Sequence, residues 1–222
     1  MAPRPSPGHP RAMPSLTITV VSDVMCPWCL IGTERLHQAL AQRPDVTATV
    51  EYAPFLLDPD LPQEGADLRA RLRKKYGADP DTMFGRVESA ARDSGIPLDF
   101  RKVKVAPNTV GAHVLIGKAA EKGTQVALAR ALFQAYFLDG KNVGDPTVLA
   151  SIATAHGFEA DEALALVNDE QERAAVRAEA ADASRQGVSG VPFFILQNRL
   201  ALSGAQPIDV FLKAIDQALA QA

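Results

Sequence analysis

The feature that most constrains the fold is a strand, a helix and a second strand that follow one another early in the chain. Residues 16–21 (LTITVV) form a β-branched, apolar run typical of a buried strand. Residues 30–42 have the apolar spacing of an amphipathic helix, and residues 45–55 alternate as a strand does. Strands joined through one helix are expected to pair in parallel. The segment therefore predicts a βαβ unit within an α/β fold.

A second group of strands is predicted near the other end of the chain. Residues 191–196 (VPFFIL) and 199–204 (RLALSG) each predict a strand, and Gln197-Asn198 between them predicts a short hairpin turn. Residues 206–220 then predict a last amphipathic helix. Together these elements form a ββα unit.

The long segment between the two units, residues 61–187, is rich in Ala, Leu, Arg and Glu and predicts an inserted helical domain. Asp79-Pro80 and Asp145-Pro146 each place an N-cap acid before a proline at the first helical position. A glycine just past a helix supplies a left-handed cap at little cost. Such glycines predict six helix ends, at Gly77, Gly95, Gly123, Gly140, Gly157 and Gly187.

Charge and hydropathy bear on the partners of the chain. The net charge is −3, which does not indicate a nucleic-acid-binding protein. No stretch approaches the ~20 apolar residues that a membrane helix needs. Acids closely follow a basic run in the helical segment and no aromatic residues interrupt it, so we interpret it as a solvated helix face. This run comprises Arg69, Arg71, Arg73, Lys74 and Lys75.

Residues 1–15 contain five prolines and lack the apolar run of a secretory signal. They predict a disordered leader, with translation starting at Met1 or at Met13. On this interpretation the protein works in the cytoplasm, where stable structural disulfides are rare. The two cysteines of the chain are therefore not expected to form a structural staple.

Those cysteines, Cys26 and Cys29, flank Pro27 and Trp28 at the junction between the first strand and the helix. Free N–H groups and the dipole at a helix start favour a thiolate at Cys26, and Pro27 suits a first helical turn. Cys29 lies about one turn further on, close enough to attack a disulfide that Cys26 has formed with a substrate. The spacing indicates that Cys26 attacks and Cys29 resolves.

Two other interpretations of the cysteine pair stay open. The pair would be half of a structural zinc site, which needs four ligands. No two histidines have the H-x₃₋₅-H spacing, so we predict no metal within one chain, although two subunits could share a zinc ion. The pair could also be inert core cysteines. The histidines are His9, His37, His113 and His156.

The stretches VVSDVMCPWCLIG, PFLLDPDLP, PNTVGAH, ALFQAYFLDGKNVGD and GVSGVPFFIL…LSGAQP together resemble the FrnE-type branch of the DsbA family, over about residues 16–220. This branch is related to 2-hydroxychromene-2-carboxylate isomerases and kappa-class glutathione transferases. The resemblance implies an α/β, thioredoxin-like fold (βαβ–ββα) with a large all-helical insertion. Residues 16–60 and 188–222 would form the thioredoxin-like domain, and residues 61–187 the insertion.

The resemblance also implies a catalytic dithiol at Cys26 and Cys29 and a cis peptide bond before Pro192. By spacing alone, Pro192 would be an ordinary residue at the start of a strand. Val191 would present its backbone to a substrate as an additional strand partner. Trp28, in the variable dipeptide, would tune the thiolate or offer an apolar contact to substrates, with plain packing as the alternative.

Further candidate site residues lie elsewhere in the sequence. Asp23 is interpreted as a proton shuttle for Cys29 or as an acid near the helix dipole. Thioredoxin-type domains often bury an acid six residues before the nucleophile, but Val20 occupies that position, so Asp23 is the nearest substitute. Four more residues are candidate cleft lining, with packing, capping or a structural role as the alternatives. They are Pro54, Phe55, Asn108 and His113.

The predicted function is a thiol–disulfide oxidoreductase or isomerase acting on disulfide-containing proteins or small thiols. It needs no bound cofactor beyond the redox-active Cys26–Cys29 disulfide, with glutathione as a candidate co-substrate. The alternative is a glutathione-dependent isomerase or transferase, in which the second cysteine would have no role. The family also makes a homodimer plausible, and we expect no nucleic-acid or membrane partner.

Overall fold

The computed structural model describes residues 13–77 and 79–221. Its first three elements are β1 (Ser15–Ser22), α1 (Pro27–Ala41) and β2 (Thr47–Pro54). β1 and β2 pair in parallel along their full length, from Ser15 opposite Thr47 to Ser22 opposite Pro54. The predicted βαβ unit is therefore confirmed. Ser15, assigned above to the leader, begins β1, and residues 1–12 of that leader lie outside the described residues.

The predicted ββα unit is also present, as β5 (Phe193–Leu196), β6 (Leu200–Ser203) and α9 (Ile208–Ala220). Gln197 and Asn198 both have positive φ, 52° and 54°, as the turn of a two-residue hairpin requires. β5 runs antiparallel to β1 and to β6, which produces a four-stranded sheet in the order β2-β1-β5-β6. This arrangement agrees with the predicted thioredoxin-like fold.

β1 has a neighbour on each side, and its sequence reflects this inner position. Its residues Leu16, Ile18 and Val20 are at most 1% exposed. Phe194 of β5 meets Phe211 of α9 edge-on, with ring centroids 4.9 Å apart. The β-branched run that predicted a buried strand therefore lies at the centre of the hydrophobic core.

The insertion is mostly helical, and the predicted helix ends are confirmed. All six glycines have positive φ, and Asp79 and Asp145 accept hydrogen bonds from Asp81 N and Thr147 N at the starts of their helices. A short 3₁₀ helix (Thr154–His156) also occurs. The α-helices are α2 (Leu68–Tyr76), α3 (Pro80–Asp93), α4 (Val110–Glu121), α5 (Gln125–Phe137), α6 (Pro146–Ala153), α7 (Ala160–Asn168) and α8 (Glu170–Arg185).

The insertion differs from the prediction in two respects. Among the described residues it has seven α-helices rather than six, because Asp169 adopts an extended conformation between α7 and α8 and caps α8 with its carboxylate. It is also not all-helical, since β3 (Ala66–Asp67) pairs with β4 (Val105–Ala106) in an antiparallel ladder. Strands of two residues are too short to produce an alternating pattern that sequence analysis can detect.

The insertion packs directly onto the helix that carries the cysteines. Arg35 of α1 donates hydrogen bonds to Ser94 Oγ at 2.8 Å and to the carbonyl oxygen of Ala205 at 2.7 Å, so it connects the insertion with the segment before α9. The domain limits at residues 60 and 188 stay a prediction. Within residues 13–77 and 79–221, no helix combines the length and the apolar character needed to cross a bilayer.

Candidate active site

Cys26 lies at the N-cap of α1, directly after the turn that follows β1. Its N–H donates to the carbonyl oxygen of Asp23 at 2.9 Å, and its own carbonyl oxygen accepts from the N–H of Cys29 at 3.0 Å. Pro27 is the first residue of the helix. Cys26 and Cys29 are both free thiols. The predicted placement of the pair at a strand-to-helix junction is confirmed.

The loop before β5 closes one side of this site. The Val191–Pro192 peptide bond is cis, as the resemblance implied. The Cys26 thiol donates to the carbonyl oxygen of Val191, with 3.5 Å between Sγ and O. Gly32 of α1 lies close to the loop, because a Cβ atom on it would be 2.9 Å from Pro192 Cγ. Cys26 thus faces the backbone that was predicted to pair with a substrate.

The two thiols differ in their surroundings. Cys26 is 4% exposed and borders a cavity, whereas Cys29 is fully buried behind it. Burial raises the pKa of the Cys29 thiol well above its ordinary value, and the neighbouring Cys26 raises it further. Cys29 is therefore held as a neutral thiol that must lose its proton before it can attack a disulfide.

An apolar cavity of about 280 Å³ opens beside Cys26 and is shared by both parts of the fold. Trp28 from α1 and Tyr76 from α2 stand at its rim, 39% and 53% exposed. The indole of Trp28 is thus partly exposed beside the sulfur of Cys26. We call this space the Cys26 cavity; its lining includes Met25, Cys26, Trp28, Leu72, Tyr76, Phe84, Phe137 and Val191.

The contribution of α2 to this cavity was missed by the sequence analysis. Arg73 and Lys74 are exposed, as expected for a solvated helix face. For Arg71, which is only partly exposed, this interpretation of the basic run is wrong. Arg71 lines the cavity and donates from Nε to Asp58 Oδ2 at 2.6 Å. The available signal was the spacing of Leu68, Leu72 and Tyr76, four residues apart, on the cavity side of the same helix.

Asp23 and His113 form a second polar group close to the thiols. Asp23 is fully buried and accepts hydrogen bonds from Leu57 N at 2.8 Å and Met25 N at 3.3 Å. The Nε2 atom of His113, from α4, lies 3.5 Å from Asp23 Oδ1. Val20, at the position where thioredoxin-type domains often carry an acid, is fully buried. Asp23 is thus the buried acid next to the dithiol.

The other candidate cleft residues do not line the Cys26 cavity. Pro54 borders a different groove, together with His113. Phe55 packs with Val21 and Val188, and Asn108 joins Leu61 O to the start of α4 through its side chain. Phe55 therefore has a packing role, and Asn108 holds the start of α4 although the N-cap residue of that helix is Thr109. For the part of the chain that the structure describes, no group of three or more His, Cys, Asp or Glu residues could hold a metal ion.

Comparison with known proteins places this geometry among related folds. The model of the family described as DSBA-like thioredoxin domain matches residues 17–216. The crystal structure of the probable DsbA oxidoreductase SCO1869 from Streptomyces coelicolor is similar, with 30% sequence identity and a TM-score of 0.82. The alignment covers 93% of this chain and 91% of the other.

Two more distant structures share the fold, each at 17% identity. One is 2-hydroxychromene-2-carboxylate isomerase, with a TM-score of 0.68 over 92% of this chain and 97% of the other. The second is the cytosolic disulfide reductase DsbM from Pseudomonas aeruginosa, solved with GSH. Its TM-score is 0.63 over 92% of this chain and 99% of the other.

Proposed function

The chain belongs to the family of DSBA-like thioredoxin domains, and from this premise we propose that it is a thiol–disulfide oxidoreductase or isomerase in which Cys26 attacks and Cys29 resolves. One observation carries the proposal. Cys26 occupies the N-cap of α1 at the mouth of an apolar cavity, and the second thiol of the chain is fully buried directly behind it. This is the arrangement that two successive thiol–disulfide exchanges need.

In the first exchange, the Cys26 thiolate attacks one sulfur of a substrate disulfide and the other substrate sulfur leaves as a thiolate. The attacking sulfur lies at the start of α1, where helices present free N–H groups and the positive end of their dipole. In the second exchange, Cys29 loses its proton and attacks Cys26 Sγ. A Cys26–Cys29 disulfide forms and the substrate leaves as a second thiol, so the substrate gains two electrons. The reverse sequence oxidises a dithiol substrate.

The Cys26 cavity supports a preference for substrates with an apolar group beside the disulfide. Its surface is mainly apolar, and Trp28 and Tyr76 expose aromatic area at its entrance. Disulfide-containing proteins fit this description, with the Val191 backbone as a partner for an extended peptide. Small thiols are the other class of substrate that we propose. We further propose a cytoplasmic location with glutathione as a co-substrate, which is in line with the fold shared with a cytosolic reductase solved with GSH.

The second candidate function is a glutathione-dependent isomerase or transferase. It is favoured by the fold shared with 2-hydroxychromene-2-carboxylate isomerase. In such an enzyme one activated group would handle glutathione, and Cys29 would have no chemical role. The burial of Cys29 directly behind Cys26 supports the dithiol function instead.

The equilibrium of the cysteine pair in glutathione buffers of graded ratio tests the proposal. Free thiols are counted by alkylation and mass, with Cys26→Ser as the control. We expect a single two-electron transition, whose midpoint also identifies the protein as an oxidant or a reductant. A stable glutathione adduct on Cys26 without any internal disulfide would overturn the proposal and favour the isomerase. In Cys29→Ser we expect mixed disulfides with substrates to accumulate.

A further inference from the structure

Resolution of a mixed disulfide requires a proton to leave Cys29 at the moment when that residue is least accessible. Cys29 is fully buried and does not line the Cys26 cavity, where a bound substrate would be joined to Cys26. Val20 provides no acid at the position common in thioredoxin-type domains. The proton must therefore leave through other groups in the interior.

Asp23 is placed to accept this proton. Asp23 lies beside the dithiol, because its carbonyl oxygen accepts from the Cys26 N–H at 2.9 Å and its own N–H donates to the Cys29 thiol. This N–H lowers the Cys29 pKa, whereas the charge of the Asp23 carboxylate raises it. The carboxylate is held in place by Leu57 N and Met25 N. The titratable groups that face it from the surrounding elements are Cys29 of α1, His113 of α4 and Tyr136 of α5. The Tyr136 hydroxyl donates to Val105 O and is already engaged.

His113 continues the path away from Asp23. It is 5% exposed, and its Nε2 atom has no hydrogen-bond partner although it lies 3.5 Å from Asp23 Oδ1. A buried imidazole nitrogen without a partner is uncommon, because burying it without a hydrogen bond is costly. A neutral imidazole can accept a proton at one ring nitrogen and release one from the other.

His113 opens onto a groove that is separate from the Cys26 cavity. This groove, which we call the α4–α8 groove, has a volume of about 330 Å³ and shares no lining residue with the Cys26 cavity. Lys118 and Glu121 of α4 and Glu172 and Glu179 of α8 line it. Tyr52 lines it as well, and its buried hydroxyl also lacks a partner. Solvent in this groove can therefore receive a proton while a substrate fills the other side.

We propose that Asp23 and His113 form a proton path that connects Cys29 to the α4–α8 groove. This inference rests on the proposed function. In the forward step, the Cys29 S–H bond breaks and its proton passes to the Asp23 carboxylate, then to His113 and to water in the groove. The sulfur electron pair attacks Cys26 Sγ, the Cys26–substrate bond breaks, and the substrate thiolate takes a proton from solvent. The dithiol is oxidised and the substrate disulfide is reduced. Asp23 is the acceptor, and His113 acts through it.

The test measures resolution and attack separately in full-length protein. Oxidised glutathione is mixed with reduced protein, the reaction is quenched with acid, and the glutathione adduct on Cys26 and the internal disulfide are followed by mass. Asp23→Asn keeps an oxygen that can accept from Leu57 N, and His113→Gln keeps a polar side chain. The matched control is His37→Gln, a second histidine with unpartnered ring nitrogens that lines a different pocket. Iodoacetamide alkylation of Cys26, with each variant also carrying Cys29→Ser, reports on attack alone.

We expect resolution to slow on the order of 10²-fold at pH 7 in Asp23→Asn and to slow also in His113→Gln. In both variants this slowing should exceed any change in the rate of Cys26 alkylation. Both differences should shrink as pH rises, because hydroxide then replaces the missing acceptor. Resolution at the wild-type rate in both variants would overturn the path, as would a slowing that is equal at every pH. If wild-type protein forms no adduct and no disulfide, the proposed function itself fails.

Discussion

At the scale of single residues, the proposed resolving role of Cys29 comes with a cost to the stability of the fold. Burial and the adjacent Cys26 raise the pKa of its thiol, so the folded protein holds a proton that the unfolded chain releases more readily. The same burial that keeps Cys29 away from competing reagents makes the stability of the reduced protein depend on pH.

The sign of this dependence follows from proton linkage. An unfolded cysteine ionises near pH ~8.5, while folded Cys29 stays protonated to higher pH, so the free energy of unfolding falls as pH rises, by up to ~1.36 kcal/mol per unit. We expect reduced wild-type protein to lose about 1–2 kcal/mol relative to Cys29→Ser between pH 8.5 and 10. Urea unfolding under a reducing agent measures this difference. Below about pH 7.5 the difference between the two proteins should be constant. A difference that also stays constant between pH 8.5 and 10 would contradict the prediction.

At the scale of elements, local chemistry predicted the ends of the helices well, and it failed where no special residue marks the end. A glycine with positive φ lies at each predicted helix end, and a glycine can be recognised directly in the sequence. The break between α7 and α8 has no glycine or proline. It depends on Asp169, whose carboxylate accepts from Gln171 N and Glu172 N and which is one acid among many in that stretch.

The residues of the candidate site also divide into those that could be predicted from the sequence and those that could not. Cys26, Cys29 and Pro192 could be predicted because motif spacing and family resemblance bear on them. The approach of His113 to Asp23 depends on how α4 packs against β2, and that of Arg71 to Asp58 depends on how α2 lies against the segment after β2. A single sequence gives no distances between elements that are far apart in the chain, so these partners could not be predicted.

The packing of α1 against the Pro192 loop leads to a prediction about Gly32. A Cβ atom there would lie 2.9 Å from Pro192 Cγ and 3.2 Å from Phe194 Cζ, closer than normal contact. Overpacking costs about 1–3 kcal/mol, which exceeds the gain of up to ~1 kcal/mol from replacing a helical glycine. We expect Gly32→Ala to lower the free energy of unfolding and to slow the reaction of Cys26 with disulfides.

The control for this prediction is Gly85→Ala, in the exposed part of α3. Nothing lies within 4 Å of a Cβ atom at Gly85, so helix propensity alone should act and stabilise the protein by up to ~1 kcal/mol. Denaturant unfolding compares the two variants. If Gly32→Ala stabilised the protein as Gly85→Ala does, the close approach of α1 to Pro192 would not exist in solution.

At the scale of the whole molecule, neither part of the fold contains a complete site. The βαβ and ββα units supply both thiols, Asp23 and the Val191 carbonyl oxygen. The insertion supplies most of the wall of the Cys26 cavity and, through His113, the approach to the α4–α8 groove. In the proposed function, substrate selection and proton release would therefore depend on how firmly the insertion is held against α1.

Arg35 is the residue through which this attachment can be tested. Its guanidinium bonds Ser94 Oγ and Ala90 O of the insertion and Ala205 O before α9, and hydrogen bonds of charged groups contribute about 1.5–3 kcal/mol. We expect Arg35→Met to lower the free energy of unfolding by about 2 kcal/mol. It should also slow the reaction of Cys26 with a disulfide that carries an apolar group more than its reaction with oxidised glutathione, because the wall of the Cys26 cavity loosens. Arg101→Met, which removes only an exposed pair with Asp99, should leave both measurements unchanged. Equal slowing towards both disulfides would show that the insertion does not select substrates.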